Sequence, residues 1–232
     1  MDYTFDISLY GHLTKDIVIN NFSQTFTLGA MANVWECLTS VNPTLSINLE
    51  PVALGSALIL VDEKNSSRVS KPNMNQILKP DINTDITSKW SHILYLNQLP
   101  NLEFIKNLSN ISKYISADIS SGGKIPYEYL KYIDFLFISE EDLNIPLKEL
   151  CNKTKGWVIL HYPNGSTTSN GKKTIKCNNK IIKNLNVLGA GDIFASNFIN
   201  QMLKTTSIKE SLELSHTLTY KALKQKNDEK KV

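Results

Sequence analysis

The sequence predicts an α/β protein with a mainly parallel sheet flanked by helices. Three observations carry this. Apolar, strand-like runs recur at 57–62, 92–97, 114–119, 133–138 and 156–161. Helix-length segments with apolar residues at helical spacing lie between most of them. The chain has 232 residues, 41% hydrophobic and 20% charged, the size and composition of one sizeable core rather than of a disordered, collagen-like or repeat-array protein. Strands alternating with helices in this way are satisfied by parallel pairing with crossover helices.

Taken in order, residues 5–10 (FDISLY) alternate like a strand and end at Gly11, a turn signal. Short strand-like pieces follow at 17–28. Residues 30–40 read as a helix with Met31, Val34, Trp35 and Leu38 on one face. The run 57–62 (ALILVD) is continuously apolar, as expected of a strand buried on both faces. A polar stretch, 64–89, contains Pro72 and Pro80. Beyond it the pattern predicts a strand at 92–97, a helix at 101–110, a strand at 114–119, a helix near 126–131 and a strand at 133–138. A helix at 141–152 and a strand at 156–161 complete the alternation. Two Asn-Gly pairs, Asn164-Gly165 and Asn170-Gly171, predict a hairpin over 164–176. Helices at 190–203 and 208–225 close the chain. No internal repeat or clear linker divides it, so 1–232 reads as a single domain.

The composition also excludes functions. The net charge is +3, too small to argue for nucleic acid. The main basic run, Lys221, Lys224, Lys226, Lys230 and Lys231, reads as a solvated tail rather than a phosphate-binding arm. Arg68 is the single arginine, so an anion site must rely on Lys, backbone amides or helix ends. Cys37, Cys151 and Cys177 lack metal or disulfide spacing, and the four histidines lack HxxxH spacing. No apolar stretch approaches the roughly 18 residues of a membrane span, and the first residues do not have the order of a signal peptide. The expected location is the cytoplasm, with neither a membrane nor a nucleic acid as partner.

The most informative segment is Asn186-Val187-Leu188-Gly189-Ala190-Gly191-Asp192, just before the helix-periodic run FASNFINQML. A glycine-rich turn opening a helix presents backbone N–H groups at the positive end of the helix dipole, which makes an anion site. An Asp at a helix start is also a plain N-cap. Both readings are open for these residues taken alone.

The GAGD segment resembles the signature of the ribokinase-like (PfkB) carbohydrate kinase family, and other segments match in the family's order. Residues 3–16 resemble its first strand, glycine and substrate-binding aspartate, here Asp16. Leu28-Gly29-Ala30-Met31-Ala32-Asn33 is similar to its G-G-x-x-A-N sugar-binding turn, and 53–62 to its T-G-x-A strand. Residues 133–142 resemble the strand leading into its N-x-x-E motif. Trp157 to Gly165 lies where the family has a nucleotide-binding V-T-x-G turn. The resemblance covers most of the chain.

It implies a ribokinase-like fold with a reduced β lid, its segments about 17–28 and 54–70, and transfer of the γ-phosphoryl of ATP to a hydroxyl of a sugar or sugar-like small molecule. Asp192 would be the catalytic base, with Gly189, Ala190 and Gly191 forming the anion hole. Asp16, Gly29 and Asn33 would hold the substrate. Ser139, Asp142, His161, Gly165 and Asn186 would face the nucleotide, and Glu141 and Asp142 would act near Mg2+ through water. The lid edge is where a homodimer would form.

Departures from the family pattern are specific. Asn186-Val187-Leu188 replaces D-T-T, removing a carboxylate and two hydroxyls near the nucleotide and any monovalent cation. Ser139-Glu140-Glu141-Asp142 replaces N-x-x-E, His161 replaces a Thr, and Pro163 stands where Gly is common. A strand–helix unit is missing between Asn33 and Gly55. These keep two alternatives in view: a catalytically weak sugar- or nucleotide-binding homologue, and a nucleoside kinase on the same fold. Asp118 faces the cleft or is a solvated strand end. Arg68 and His216 read as surface residues, although His216 falls near the family's adenine pocket. Trp35, Trp90 and Trp157 read as packing residues.

Overall fold

The computed structural model describes residues 2–20, 24–62, 64, 67–77, 82–99, 101–119, 123–179 and 186–228. Among the described residues, ten strands form one sheet. They are β1 (Phe5–Ile19), β2 (Gln24–Thr27), β3 (Ile47–Asp62), β4 (Ser67–Ile77), β5 (Ser88–Ile93), β6 (Ser112–Asp118), β7 (Phe135–Ser139), β8 (Trp157–Tyr162), β9 (Gly165–Ser169) and β10 (Thr174–Asn178). Their order is β10-β9-β8-β7-β6-β5-β1-β3-β4, with β2 pairing β1. The run β8-β7-β6-β5-β1-β3 is parallel, and the outer pairings are antiparallel. The helices are α1 (Gly29–Val41), α2 (Leu102–Ile111), α3 (Leu147–Lys153), α4 (Ala190–Lys204) and α5 (Ile208–Asp228).

The parallel strands are apolar on both faces because helices cover both. In β7, Leu136 and Ile138 pack with Leu108 of α2 and Leu150 of α3. Phe135 and Phe137 point the other way, toward Val34 of α1 and Phe194 and Phe198 of α4. The Phe198 ring sits 5.5 Å from that of Phe135 and 5.6 Å from that of Phe137, edge to face. Burying such a ring contributes about 2–3 kcal/mol. This packing fixes α4, and so places its first turn at the carboxyl ends of the strands, where parallel sheets bind ligands.

Several expectations are corrected. Gly11 does not end the first strand: β1 runs through it with a register shift at Gly11/His12. A Cβ there would lie 2.6 Å from the Leu94 Cβ, so close packing is what requires glycine. The run 57–62 is not buried on both faces. Ile59 and Val61 are buried, but Leu58 is 42% and Leu60 51% exposed, because β3 continues past the helices. The polar stretch 64–89 contains β4, an edge strand in which Pro72 is tolerated. Residues 127–132 form a 3-10 helix rather than an α-helix, and 140–142 another ahead of α3. The hairpin expected over 164–176 is present as β9–β10, and the Asn164-Gly165 turn adds β8 to it as a meander. Trp35 is 41% exposed, whereas Trp90 is fully buried. Among the described residues, no helix is long and apolar enough to cross a membrane.

Candidate active site

The site forms where the far half of β1, the first turn of α1 and the first turn of α4 meet. Asp16 pairs with Thr27 of β2 and Ala57 of β3 across the sheet. It is 5% exposed, and its Oδ1 is buried without a hydrogen-bond partner. Burial raises its carboxyl above the ordinary value of 3.8, against the lowering effect of the Thr14 hydroxyl and the Ala57 backbone. An ionisable oxygen of this kind, buried and unsatisfied, suits a ligand hydroxyl.

Gly29 opens α1 with φ +76°. A Cβ there would fall 2.1 Å from the Thr14 Oγ1 and 3.5 Å from the Asp16 Oδ2. The glycine lets the helix start lie against Asp16 without a side chain intruding. Gly29→Ala is expected to destabilise the fold by at least about 1 kcal/mol from the left-handed backbone alone, and to displace Thr14. Thermal unfolding together with substrate affinity checks this: both should fall.

One turn further along α1, the Asn33 Nδ2 donates to the Asp192 Oδ2 at 2.8 Å. Asp192 is therefore not the N-cap of α4. That position is Gly189, at φ +80° and with no side-chain cap. Asp192 lies in the first helical turn, with its carboxylate held by Asn33. A Cβ on Gly189 would sit 3.1 Å from the Asn33 Nδ2 and 3.7 Å from the Asp192 Oδ2. The Ala190 amide donates to the Val187 carbonyl at 3.0 Å and closes the turn. Gly189 and Gly191, whose amides make no such bond among the described residues, are left as the donors of the expected anion hole.

Next to this turn stand His161, Phe194 and His216. A Cβ on Gly191 would be 3.8 Å from the His161 Cε1. The Phe194 ring lies 6.0 Å from that of His161 and 4.6 Å from that of His216. His216 is half-buried rather than on the helix surface, with its Nε2 2.8 Å from the Ser166 Oγ. Burial, and then the nearby His161, push its pKa down to about 4, so it is neutral at pH 7. It lines a cavity of about 240 Å³ with Lys176, Cys177, Asn178, Asn179, Glu213 and Thr217.

Other predicted residues lie apart or do something else. Gly165 sits in the β8–β9 turn at φ +147°, and a Cβ there would be 2.0 Å from the Cys177 carbonyl, so its glycine is required by sheet packing. Ser139 ends β7 opposite His161. Glu141 is exposed and Asp142 half-exposed on the turn that follows. Among the described residues, no three His, Cys, Asp or Glu side chains cluster to hold a metal. Asn186 is 1% exposed; its Oδ1 accepts from the Leu188 amide at 2.9 Å, so the side chain shapes the turn. Asp118 lies with its Oδ2 3.3 Å from the buried His92 Nε2. The Arg68 side chain lies outside the description. Sequence reasoning missed Thr14, which lies in the 3–16 segment but carries no assigned role there, and Lys226 and Asn227, which stand in no recognisable motif.

A parallel sheet with helices on both faces, two carboxylates at its carboxyl edge and a glycine turn opening α4 make a ribokinase-like fold. Solved structures of that class match nearly the whole chain. A pyrophosphate-dependent kinase in the ribokinase family, as a sulfate complex, has a TM-score of 0.70 at 16% identity, over 94% of this chain and 95% of that one. The adenosine kinase from Sinorhizobium meliloti has a TM-score of 0.73 at 13% identity, over 95% and 94%. A ribokinase from Thermotoga maritima has 0.71 at 14%, over 93% and 91%. No protein-family model and no curated protein matches the sequence. At these identities the likeness is one of fold.

Proposed function

We propose that this protein is a kinase that transfers the γ-phosphoryl of ATP to a hydroxyl of a sugar, a sugar-like alcohol or a nucleoside. The observation that carries the reading is the Asn33–Asp192 contact of 2.8 Å beside the Gly189 turn. It sets a carboxylate next to backbone donors at a helix start, the arrangement phosphoryl transfer requires. Asp16 accepts acceptor hydroxyls through its unsatisfied oxygen. Asp192 takes the proton of the hydroxyl that attacks the γ-phosphorus. The bond to the bridging oxygen breaks, and ADP leaves. The amides of Gly189 and Gly191 meet the charge on the transferred group. His216, neutral and lining the cavity, offers a place for the base of the nucleotide. Glu141 and Asp142 are hard oxygen donors suited to hold magnesium through water, since that ion needs only one or two carboxylates besides the phosphates. When bound, it neutralises the phosphate charge.

The outer ends of β1 to β4 form the lid over Asp16, and the reading includes a homodimer through it. Register places Ile17, Phe26, Leu58 and Lys71 in one row, and Ile19, Gln24, Leu60 and Val69 in the next, on the side opposite Asp16. Phe26 is 59% and Val69 70% exposed. An apolar face of this kind on an open sheet suits a second copy of itself. Sedimentation should find a dimer that Leu58→Lys/Leu60→Lys converts to a monomer; a wild-type monomer at micromolar concentration would remove this part.

The kinase reading is tested by a panel of sugars and nucleosides with magnesium and either ATP or pyrophosphate, following ADP or phosphate release. Turnover with ATP supports it. Ligand binding without turnover from either donor would favour a non-catalytic binding protein.

A further inference from the structure

The turn that presents the Gly189 and Gly191 amides is held from behind by the last turn of α5. Asn227 is buried there. Its Oδ1 accepts from the Asn186 amide at 2.7 Å, and its Nδ2 donates to the carbonyls of Asn186 at 3.2 Å and Leu223 at 2.7 Å. The neighbouring Lys226 sets its ammonium 3.2 Å from the Leu188 carbonyl. This lysine belongs to the run that reads in sequence as a solvated tail, yet it donates to the residue directly before the first anion-hole glycine.

Two physical consequences follow. The peptide group is planar, and none of the described peptide bonds is cis. The Leu188 carbonyl and the Gly189 amide share one plane and point in opposite directions. Fixing the Leu188 oxygen on the α5 side therefore aims the Gly189 N–H away from α5. A cation on that oxygen also polarises the peptide and strengthens its N–H as a donor. Val187 and Leu188 bring no side-chain oxygen to the turn. The Asn186 Oδ1 is taken by the Leu188 amide, and the backbone carbonyls of Asn186 and Leu188 are already met by Asn227 and Lys226.

We propose that Lys226 and Asn227 are positioning residues for the phosphate-binding turn 186–191, and that the Lys226 ammonium is a cation built into the chain at the Leu188 carbonyl. The turn then needs no monovalent cation from solution. This rests on the kinase reading above.

The experiment measures turnover with magnesium ATP, and ATP affinity by calorimetry, at fixed ionic strength in sodium, potassium or tetramethylammonium salts. The wild type should be indifferent to the choice. Lys226→Ala should lower kcat/KM for ATP about tenfold or more, the scale of a lost hydrogen bond to a charged group. Potassium or methylammonium, small enough to reach the uncovered carbonyl, should restore part of the loss, and tetramethylammonium should not. Lys226→Gln keeps a donor without the charge, and should show a smaller loss and a weaker rescue. A wild type accelerated several-fold by potassium would overturn the proposal. So would a Lys226→Ala variant as active as wild type, or one whose loss no small cation repairs in either variant. A wild type that binds ATP in no salt would instead remove the kinase reading, and this inference with it.

Discussion

Asp192→Asn is expected to cut turnover by at least about a hundredfold, the scale of general-base catalysis, with little change in thermal midpoint. The asymmetry follows from the geometry. The Asn33 Nδ2 still finds an oxygen, because the new amide presents its carbonyl where the Asp192 Oδ2 stood. Asp192 does not cap α4, so no cap is lost. What the fold loses is one negative charge in the first helical turn, about 0.3–1 kcal/mol. A hundredfold in rate is about 2.7 kcal/mol of barrier. Affinity for ATP should stay close to wild type, since the backbone amides remain. Steady-state kinetics with a melting curve on the same preparation checks it. Wild-type turnover in the variant would remove Asp192 as the base while leaving the fold untouched.

Asp16→Asn should do something less usual: stabilise the protein at neutral pH while destroying acceptor binding. Burial raises the Asp16 carboxyl above its unfolded value of 3.8, so the folded chain holds that proton more tightly than the unfolded chain. The associated stability is fully present below pH 3.8 and is lost as pH rises through the raised folded value. At pH 7 the buried charge therefore costs stability, and the amide does not carry it. The variant should melt above wild type at pH 7, with the gap closing toward acid. Acceptor affinity should fall at least about tenfold, because a neutral amide replaces a charged acceptor of hydroxyl protons. ATP affinity should hold. Calorimetry with each ligand alone, and melting at pH 7 and pH 4, separates these outcomes. Equal loss for both ligands, or a lower midpoint at pH 7, would show that Asp16 is structural.

How much of this is visible in the sequence depends on how local each cause is. The parallel alternation from 92 to 161 is legible because strands covered on both faces must be continuously apolar, as in β7. The same rule misleads at 57–62. There Leu58 and Leu60 face outward and stay exposed, and apolarity alone does not tell a covered face from an open one. Gly189 and Asp192 are legible together, since a tight turn into a helix needs glycine and the carboxylate follows within one turn. That its carboxylate meets Asn33 and does not cap α4 is not, because Asn33 lies on another helix. His216 looks like a surface residue on a helix until Ser166, fifty positions earlier, comes to its ring. Lys226 and Asn227 are least legible of all. Lysine and asparagine are common in this chain, and only the fold shows which copy reaches Leu188 and Asn186.

Phosphoryl transfer dependent on Asp192 is open to one direct measurement. Wild-type protein and Asp192→Asn are incubated with magnesium and γ-labelled ATP over a mixture of sugars and nucleosides, and label is sought in a small-molecule product. A labelled phosphate ester is expected with the wild type, and at least about a hundredfold less with the variant. Equal labelling by both proteins would contradict the assigned base. No labelling by wild-type protein that still binds ATP and an acceptor would contradict the kinase reading itself.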